Sequence, residues 1–145
     1  MNRLYVVASW VPRRETIDVG ALGAVTFDRG WYAYVGSARR GRDARVARHG
    51  RSAKPLRWHA DYLFSRHPAT KAWLVDTAQD ECELAGQLAL VRTPPRFGSS
   101  DCTCGGHLLR LPPGELPALT RTLRALGAVS GTWACRASGK IDNRE

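Results

Sequence analysis

The run of residues 31–38, WYAYVGSA, constrains this chain most, because it joins an alternating strand to a basic segment. Side chains alternate between the two faces of a strand, so Tyr32 and Tyr34 are expected on one face and their neighbours on the other. Gly36 ends the strand, and a helix over about 43–50 follows. This arrangement can present a tyrosine hydroxyl and a guanidinium to one phosphate group. A plain hairpin with an aromatic face is the alternative.

Hydrophobic periodicity and turn residues divide the chain into strands and helices. Strands are predicted over about residues 3–11, 17–19, 24–28, 31–36, 70–77 and 107–111. Helices are predicted over about residues 43–50, 57–66, 81–92 and 115–126. The turn at about 28–30 is expected to join its flanking strands as a hairpin. This order predicts the α/β (α+β) class, with one compact domain over about 1–137, a small, mostly antiparallel sheet flanked by helices, and a polar tail over about 138–145.

The charge balance of the chain is strongly basic. Lys and Arg number 22 against 13 Asp and Glu, which gives a formal net charge of +9. Arginine dominates, and its planar fork suits bidentate phosphate contacts. Nucleic acid is therefore the partner that the charge predicts, although an arginine-rich genome composition would give the same balance. No apolar run reaches about 18 residues and no basic amphipathic helix stands out, so no membrane partner is expected.

The chain contains four cysteines, Cys82, Cys102, Cys104 and Cys135. The first residues are read as a strand and not as a secretion signal, so we expect reduced thiols and a cytoplasmic location. The Cys102-x-Cys104-x2-His107 spacing invites a zinc site, with Asp101 or Cys82 as the fourth ligand. The gap between the two cysteines is shorter than zinc motifs use, so zinc is not favoured. A loop packed near the active site, with Asp101 bonded to backbone amides, is preferred.

Five arginines crowd the segment after the tyrosine strand: Arg39, Arg40, Arg42, Arg45 and Arg48. Arg45 and His49 lie four residues apart, which places them on one face of the predicted helix. A solvated basic face would account for most of these arginines. It would not account for their register with the tyrosine strand.

Glu81 begins a predicted helix and projects within its apolar stripe, whereas Glu83 points to the polar side. The stripe consists of Leu84, Ala85, Leu88 and Val91. A carboxylate on the core side is costly unless it is paired or binds a metal. Glu81 is therefore predicted to bind Mg²⁺ or to pair with an arginine, and a glutamate that serves only the capping turn is the alternative.

Several of these segments resemble the GIY-YIG nuclease superfamily. Leu4-Tyr5-Val6 matches the place of the first signature tyrosine, although Arg3 and Leu4 stand where the family has glycine and isoleucine. Tyr34-Val35-Gly36 matches the second half of the signature. Arg45 matches the helical arginine that follows, and Glu81 the helical glutamate further on. The gap between the two tyrosines is longer than usual, which implies an extra hairpin.

One branch of that superfamily, catalogued as a domain of unknown function, is the most similar. It occurs alone or joined to an endonuclease III-like repair glycosylase. The resemblance covers about residues 3–111 and rests on residues 20–23, 32–38, 48–49, 58–63, 81–83, 97–104 and 107–108. The resemblance also marks His59 and Asp61 as candidate functional residues. His59 could hydrogen-bond a phosphate or orient Glu81. Trp58 and Tyr62 are read as core residues.

The resemblance implies a Mg²⁺-dependent (or Mn²⁺-dependent) endonuclease that acts on DNA in preference to RNA. It is expected to recognise a structure or lesion with little sequence specificity. The implied catalytic residues are Tyr5, Tyr34, Arg45, His49 and Glu81, with Glu81 as the metal ligand. The implied nucleic-acid-binding residues are Arg39, Arg40, Arg42, Arg48 and His59. A DNA-repair glycosylase is a possible partner.

The chemistry assigned to these residues follows from phosphodiester hydrolysis. Tyr34 or Tyr5 would take or relay a proton from water, and the charge of Arg45 would lower the pKa of the phenol and bind the phosphate. A nucleic-acid-binding accessory domain for DNA repair, with weak or no catalysis, is the alternative. A zinc-stabilised interaction module is a third reading, and it rests only on the cysteine loop.

Overall fold

The computed structural model of this protein describes residues 1–88, 90–93, 95–98 and 106–131. The strands are β1 (Asn2–Val11), β2 (Glu15–Asp18), β3 (Ala24–Phe27), β4 (Gly30–Ser37), β5 (Lys71–Thr77), β6 (Val91–Arg92), β7 (Leu108–Arg110) and β8 (Val129–Ser130). The helices are α1 (Arg42–His49), α2 (His59–Arg66), α3 (Glu81–Leu88) and α4 (Leu116–Ala125), with a short 3-10 turn at Gly20–Leu22. None of the helices in these ranges is long and apolar enough to cross a membrane.

Six of the strands form one antiparallel sheet in the order β6-β7-β4-β1-β5-β8. β1 lies inside this sheet, between β4 and β5, and its residues from Leu4 to Val11 are buried on both faces. β4 pairs with β1 so that Gly36 lies opposite Tyr5 and Tyr34 lies opposite Val7. The predicted α+β class with a largely antiparallel sheet is therefore confirmed.

Helices cover both faces of this sheet, and each face has its own core. On the first face, side chains of α3 and α4 pack on β1, β4 and β5; they include Leu4, Val6, Trp31, Ala33, Val35, Leu84, Leu119 and Leu123. On the second face, side chains of α1 and α2 pack on the same strands; they include Tyr5, Val7, Tyr32, Tyr34, Val46, Leu63 and Phe64. We call the second face the tyrosine face. The predicted separation of the tyrosines from Trp31, Ala33 and Val35 is confirmed.

The predicted hairpin around residues 28–30 is wrong. β3 pairs with β2 in a separate two-stranded sheet, whereas β4 pairs with β1 along its whole length. The turn instead redirects the chain from one sheet to the other, and the Tyr32 hydroxyl fixes it by donating to the Asp28 carbonyl at 2.8 Å. The extra hairpin expected between the two tyrosine strands is β2–β3.

The predicted helix over 81–92 is too long, because α3 ends at Leu88 and Val91–Arg92 forms β6. Val91 pairs with Arg110 of β7, and its side chain is 64% exposed, so it is not part of the apolar stripe. The unpaired edge of β7 offers these residues backbone partners that a continued helix could not use. The other predicted helices and strands occur within a few residues of their expected bounds, and β8 was not predicted.

Candidate active site

A cleft of about 470 Å³ opens where the tyrosine face meets the first turns of α2 and α3. Its lining includes all five side chains predicted to be catalytic, Tyr5, Tyr34, Arg45, His49 and Glu81, together with His59. β1 and β4 contribute the tyrosines, α1 contributes the arginine and His49, and α3 contributes the glutamate. Side chains that lie far apart in the chain, such as Tyr5 and Glu81, thus share one site.

Tyr5 and His49 form a buried hydrogen bond at the floor of the cleft. The Tyr5 hydroxyl lies 2.9 Å from His49 Nε2, and both side chains are almost fully buried. Burial lowers the pKa of His49 to about 3, and neighbouring Lys54 acts in the same direction. Burial also raises the pKa of Tyr5, as does nearby Tyr34. Both groups are therefore neutral at physiological pH.

Tyr34 lies beside this pair, and its ring contacts His49, Phe64 and Phe97 edge-on. Burial raises the pKa of Tyr34 strongly, and the Glu81 carboxylate raises it further. Arg45 acts in the opposite direction but is outweighed, so the expectation that its charge would give an activated phenol is wrong for both tyrosines. The Tyr34 hydroxyl has no hydrogen-bond partner among the described residues, which leaves it available to a molecule in the cleft.

Two glycines make room for these two tyrosines. A Cβ atom built on Gly36 would overlap the ring of Tyr5, which lies across the paired strand. A Cβ atom on Gly98 would lie 2.8 Å from Cε1 of Tyr34, and the positive φ of +75° at Gly98 disfavours any other residue. The Gly98 N–H donates to His59 Nδ1 at 2.9 Å.

The hydrogen bond from the Gly98 N–H gives His59 a positioning role, whereas the sequence left the function of this histidine open. Because Nδ1 of His59 accepts a hydrogen bond, Nε2 carries the proton of the neutral ring and is a donor. Burial lowers the pKa of His59, which favours that neutral form. His59 thereby holds Gly98, which packs on Tyr34, and among the described residues it forms no hydrogen bond with Glu81.

Glu81 is the first residue of α3, but it does not cap the helix. That role belongs to Asp80 and Glu83, because the Glu83 N–H donates to Asp80 Oδ1 at 2.8 Å and the Asp80 N–H donates to Glu83 Oε1 at 3.0 Å. Glu81 Oε1 instead accepts from the Ser37 hydroxyl at 2.7 Å, and Oε2 lies 3.6 Å from His107 Nδ1. The capping alternative for Glu81 is therefore excluded.

The surroundings of Glu81 fit a magnesium ion held by one carboxylate. Its side chain is 34% exposed and faces the cleft, and it makes no ion pair with an arginine among the described residues. Mg²⁺ in phosphoryl-transfer sites is commonly bound by one or two carboxylates, with water and substrate phosphate as further ligands. The described ranges contain no group of three or more His, Cys, Asp or Glu side chains that could hold a metal ion without water or phosphate as further ligands.

Arg45 and Trp58 form one wall of the cleft. The Arg45 guanidinium donates to the Ser37 carbonyl at 2.8 Å, and its Cζ lies 4.9 Å from the centre of the Trp58 ring. Trp58 is 40% exposed, so its prediction as a core residue is wrong. It precedes the first residue of α2, where the chain has not yet reached the core. Sequence reasoning missed both Trp58 and Ser37 as site residues.

Arg48 is held by Asp61 and is not a free surface cation. Its Nε and terminal nitrogen lie 3.2 and 2.9 Å from the two Asp61 oxygens, and Asp61 is completely buried. Burial alone would raise the pKa of Asp61, but bonds from Arg48 and from the N–H groups of Trp58 and Arg57 lower it. The prediction that Arg48 binds nucleic acid is thus corrected to a role in fixing the chain before α2.

Arg42 is also corrected. It is 7% exposed, donates to the Leu4 carbonyl at 3.1 Å and pairs with Asp76 at 2.6 Å. These contacts tie the first turn of α1 to β1 and β5, so this guanidinium is not available to nucleic acid. Arg39 and Arg40 lie before α1 and are exposed, as predicted binding residues need to be.

A second groove, of about 540 Å³, adjoins the cleft at Glu81. Both cavities include Ser37 and Glu81 in their lining. The second groove adds Arg3 and Arg39, together with the first two residues of the chain. Glu81 is therefore shared by two adjoining depressions, each of which is lined by arginine.

Three of the residues considered for a zinc site, Asp101, Cys102 and Cys104, lie outside the described residues, as does Cys135. The two described members of the set are close together, with Cys82 Sγ 3.4 Å from His107 Nε2. His107 also supports the sheet, because its carbonyl accepts from the Val35 N–H at 3.0 Å. The predicted tail over about 138–145 likewise lies outside the described ranges.

Comparison with known proteins gives one match. A family model described as a domain of unknown function, DUF123, matches residues 4–128, which includes every residue of the cleft. No curated protein matches the chain, and no solved structure does. Because the family model spans most of its length, this protein belongs to the DUF123 family of domains of unknown function.

Proposed function

We propose that this protein is a Mg²⁺-dependent endonuclease that hydrolyses phosphodiester bonds in DNA and that its family is a branch of the GIY-YIG superfamily. The observation that carries the proposal is the convergence of Tyr5, Tyr34, Arg45, His49 and Glu81 on one cleft. These are the side chains that the resemblance assigns to catalysis. A cytoplasmic location and a DNA-repair glycosylase partner belong to the same proposal and rest on the resemblance.

The tyrosine pair with His49 supplies the proton path. As the attacking water forms its bond to phosphorus, its proton passes to the Tyr5 oxygen while the phenolic proton passes to His49 Nε2. This transfer needs no tyrosinate in the resting protein, which agrees with the raised pKa of Tyr5. It uses the His49 tautomer that carries its proton on Nδ1. The leaving oxygen takes a proton from solvent when its bond to phosphorus breaks, and the His49 imidazolium then returns its proton through Tyr5 to solvent, which restores the neutral pair.

Arg45 and Tyr34 bind the phosphate in this mechanism. The Arg45 guanidinium gives positive charge to the oxygens on which negative charge develops, and the Tyr34 hydroxyl donates to one of them. Glu81 is the carboxylate that would hold the ion, and Mg²⁺ bound there would polarise the phosphate and stabilise the leaving oxygen. The Ser37 hydroxyl orients that carboxylate by its bond to Oε1.

The two adjoining depressions at Glu81 favour an endonuclease. A strand whose scissile phosphate lies at Glu81 can continue on both sides, toward Arg45 in one cavity and toward Arg3 and Arg39 in the other. Phosphate contacts of this kind position a nucleic acid without reading its sequence. Little sequence specificity is expected from such contacts, and recognition of a structure or lesion rests on the resemblance.

A nucleic-acid-binding accessory domain with weak or no catalysis is the second candidate. It is favoured by the first motif, in which Arg3 and Leu4 stand before Tyr5 where the superfamily has glycine and isoleucine. A protein that only binds DNA would need the arginines of the cleft and no proton acceptor.

The deciding experiment is cleavage of a labelled panel with Mg²⁺ or Mn²⁺: duplex, single strand, flap, four-way junction, abasic DNA and RNA. Wild type is compared with Glu81→Gln and with Glu83→Gln, which has the same charge change on the same helix but points away from the cleft. Cleavage that is lost in Glu81→Gln and kept in Glu83→Gln supports the nuclease. Equal cleavage by all three proteins contradicts it, and salt-sensitive binding without cleavage favours the accessory domain.

A further inference from the structure

Trp58 is held partly open at the cleft, and neither the proposed proton path nor the phosphate contacts use it. Its side chain is 40% exposed, whereas Trp10, Trp31 and Trp73 are between 3% and 8% exposed. Leaving a large aromatic side chain in water forfeits the stabilisation that its burial would give. The ring lies in the wall of the cleft that also contains Arg45 and His59.

Trp58 is fixed in this position by groups around it. The backbone N–H of Trp58 donates to Asp61 Oδ2 at 3.0 Å, and the backbone N–H of the preceding Arg57 donates to the same oxygen at 2.8 Å. The guanidinium carbons of Arg45 and Arg48 lie 4.9 and 5.0 Å from its ring centre. Arg48 is itself bound by buried Asp61. The indole is therefore preorganised beside positive charge.

An exposed indole beside guanidinium groups suits one kind of ligand, a nucleobase attached to a phosphate. Bases stack on aromatic side chains whatever their sequence, and the charge of Arg45 next to the ring attracts the backbone. The cleft volume of about 470 Å³ falls within the range of small-ligand pockets, so it can admit one nucleotide extruded from a strand. In a paired duplex, both faces of each base are covered by neighbouring bases and are closed to Trp58.

We propose that Trp58 stacks on an unpaired nucleobase next to the phosphate bound at Arg45, so that the site selects single-stranded or locally unpaired DNA. This inference rests on the proposed binding of nucleic acid and defines its substrate class. It explains why the ring stands in the cleft wall beside Arg45. It also assigns buried Asp61 as a positioning residue that acts through Trp58 and Arg48.

The test measures tryptophan fluorescence and binding in the Glu81→Gln background without metal, so that cleavage does not enter. A single-stranded oligonucleotide is titrated, and the blunt duplex of the same sequence is titrated beside it. The variants are Trp58→Ala, Trp58→Phe and the control Leu56→Ala, which removes another exposed apolar side chain from the same segment. Circular dichroism and thermal melts establish that each variant is folded.

We expect the single strand to quench emission of the Trp58 protein and to quench that of Trp58→Phe far less. Trp58→Ala should bind the single strand roughly 5- to 100-fold more weakly, with Trp58→Phe in between. Duplex affinity should change less than twofold, and Leu56→Ala should match its parent. Equal losses for single strand and duplex, or quenching that survives in Trp58→Phe, would overturn the proposal. Either result could coexist with cleavage by wild type, so failure here is distinct from failure of the nuclease.

Discussion

The Tyr5 hydroxyl lies 2.9 Å from Nε2 of His49, and together the two buried side chains form the floor of the cleft. β1 provides the first and the end of α1 provides the second, so the pair also joins the central strand to a helix on the tyrosine face. Neither group carries charge at rest. In the proposed mechanism this pair transfers a proton, and in the resting folded protein both of its members are neutral.

The proton path predicts that Tyr5 and His49 act as one unit. Tyr5→Phe should lower the cleavage rate by about 10²–10³, within the range of 10²–10⁴ typical of a lost general acid or base. The double variant Tyr5→Phe/His49→Gln should be little slower than the single variants, because either change alone breaks the path. Single-turnover cleavage measures this. Tyr62→Phe removes a hydroxyl that lies against Gly20, outside the cleft, and should cleave as wild type does. Effects that multiply in the double variant would contradict a shared path.

The neutral state of His49 predicts a dependence of stability on pH. Its pKa is lowered to about 3 in the folded protein, against about 6.5 when unfolded. Between these values the unfolded chain binds a proton that the folded chain does not, so the free energy of unfolding rises with pH from about 3 to about 6.5. His49→Gln should flatten that rise by up to about 1.4 kcal/mol per pH unit, as measured by urea unfolding. A slope unchanged in His49→Gln would mean that the folded protein accepts the proton.

The close contact between Tyr5 and Gly36 predicts that a single methyl group at Gly36 will displace the phenol to which we assign proton transfer. Gly36→Ala should shift the Tyr5 ring, lower activity severely and lower the free energy of unfolding by about 1–3 kcal/mol. The comparison is Gly86→Ala within α3, where alanine is the better helix former and should be neutral or stabilising. Cleavage rates and thermal melts of the two variants decide the matter. Full activity in Gly36→Ala would show that the ring can move without cost.

Arg39 is predicted to contact a phosphate in the second groove. Arg39→Gln should weaken DNA binding about equally for different sequences and reduce the slope of log affinity against log salt by about one ion. Arg121→Gln makes the same change at an exposed position of α4, on the other face of the sheet, and should leave the slope unaltered. Fluorescence anisotropy over a range of salt concentrations gives both slopes. Equal effects of the two changes would indicate a general response to net charge.

Strand alternation was the strongest guide in the sequence, because successive side chains of a strand lie on opposite faces of the sheet. It correctly placed Tyr32 and Tyr34 together on one face of β4. The stripe on α3 correctly set Glu81 apart from Glu83, since a helix that packs one side on the core has an apolar side that is visible in its sequence. Both predictions depend only on local geometry.

The errors concern features that depend on distant partners. Arg42 and Arg45 are three residues apart in the same basic run, yet one pairs with Asp76 of β5 and the other lines the cleft. Nothing in the run itself reveals where β5 will lie. Likewise, Val91 suits either a helix or a strand, and the exposed edge of β7 decides the outcome.

The position of the two tyrosines on neighbouring strands has a consequence for inactivation. Backbone hydrogen bonds between β1 and β4 set their separation, and a shift of one residue would turn every side chain to the opposite face. Intermediate spacings are therefore inaccessible, and the site is either assembled or lost. Heating should reduce the fraction of competent molecules in step with the melting of the central strands, while each surviving molecule keeps its full turnover rate.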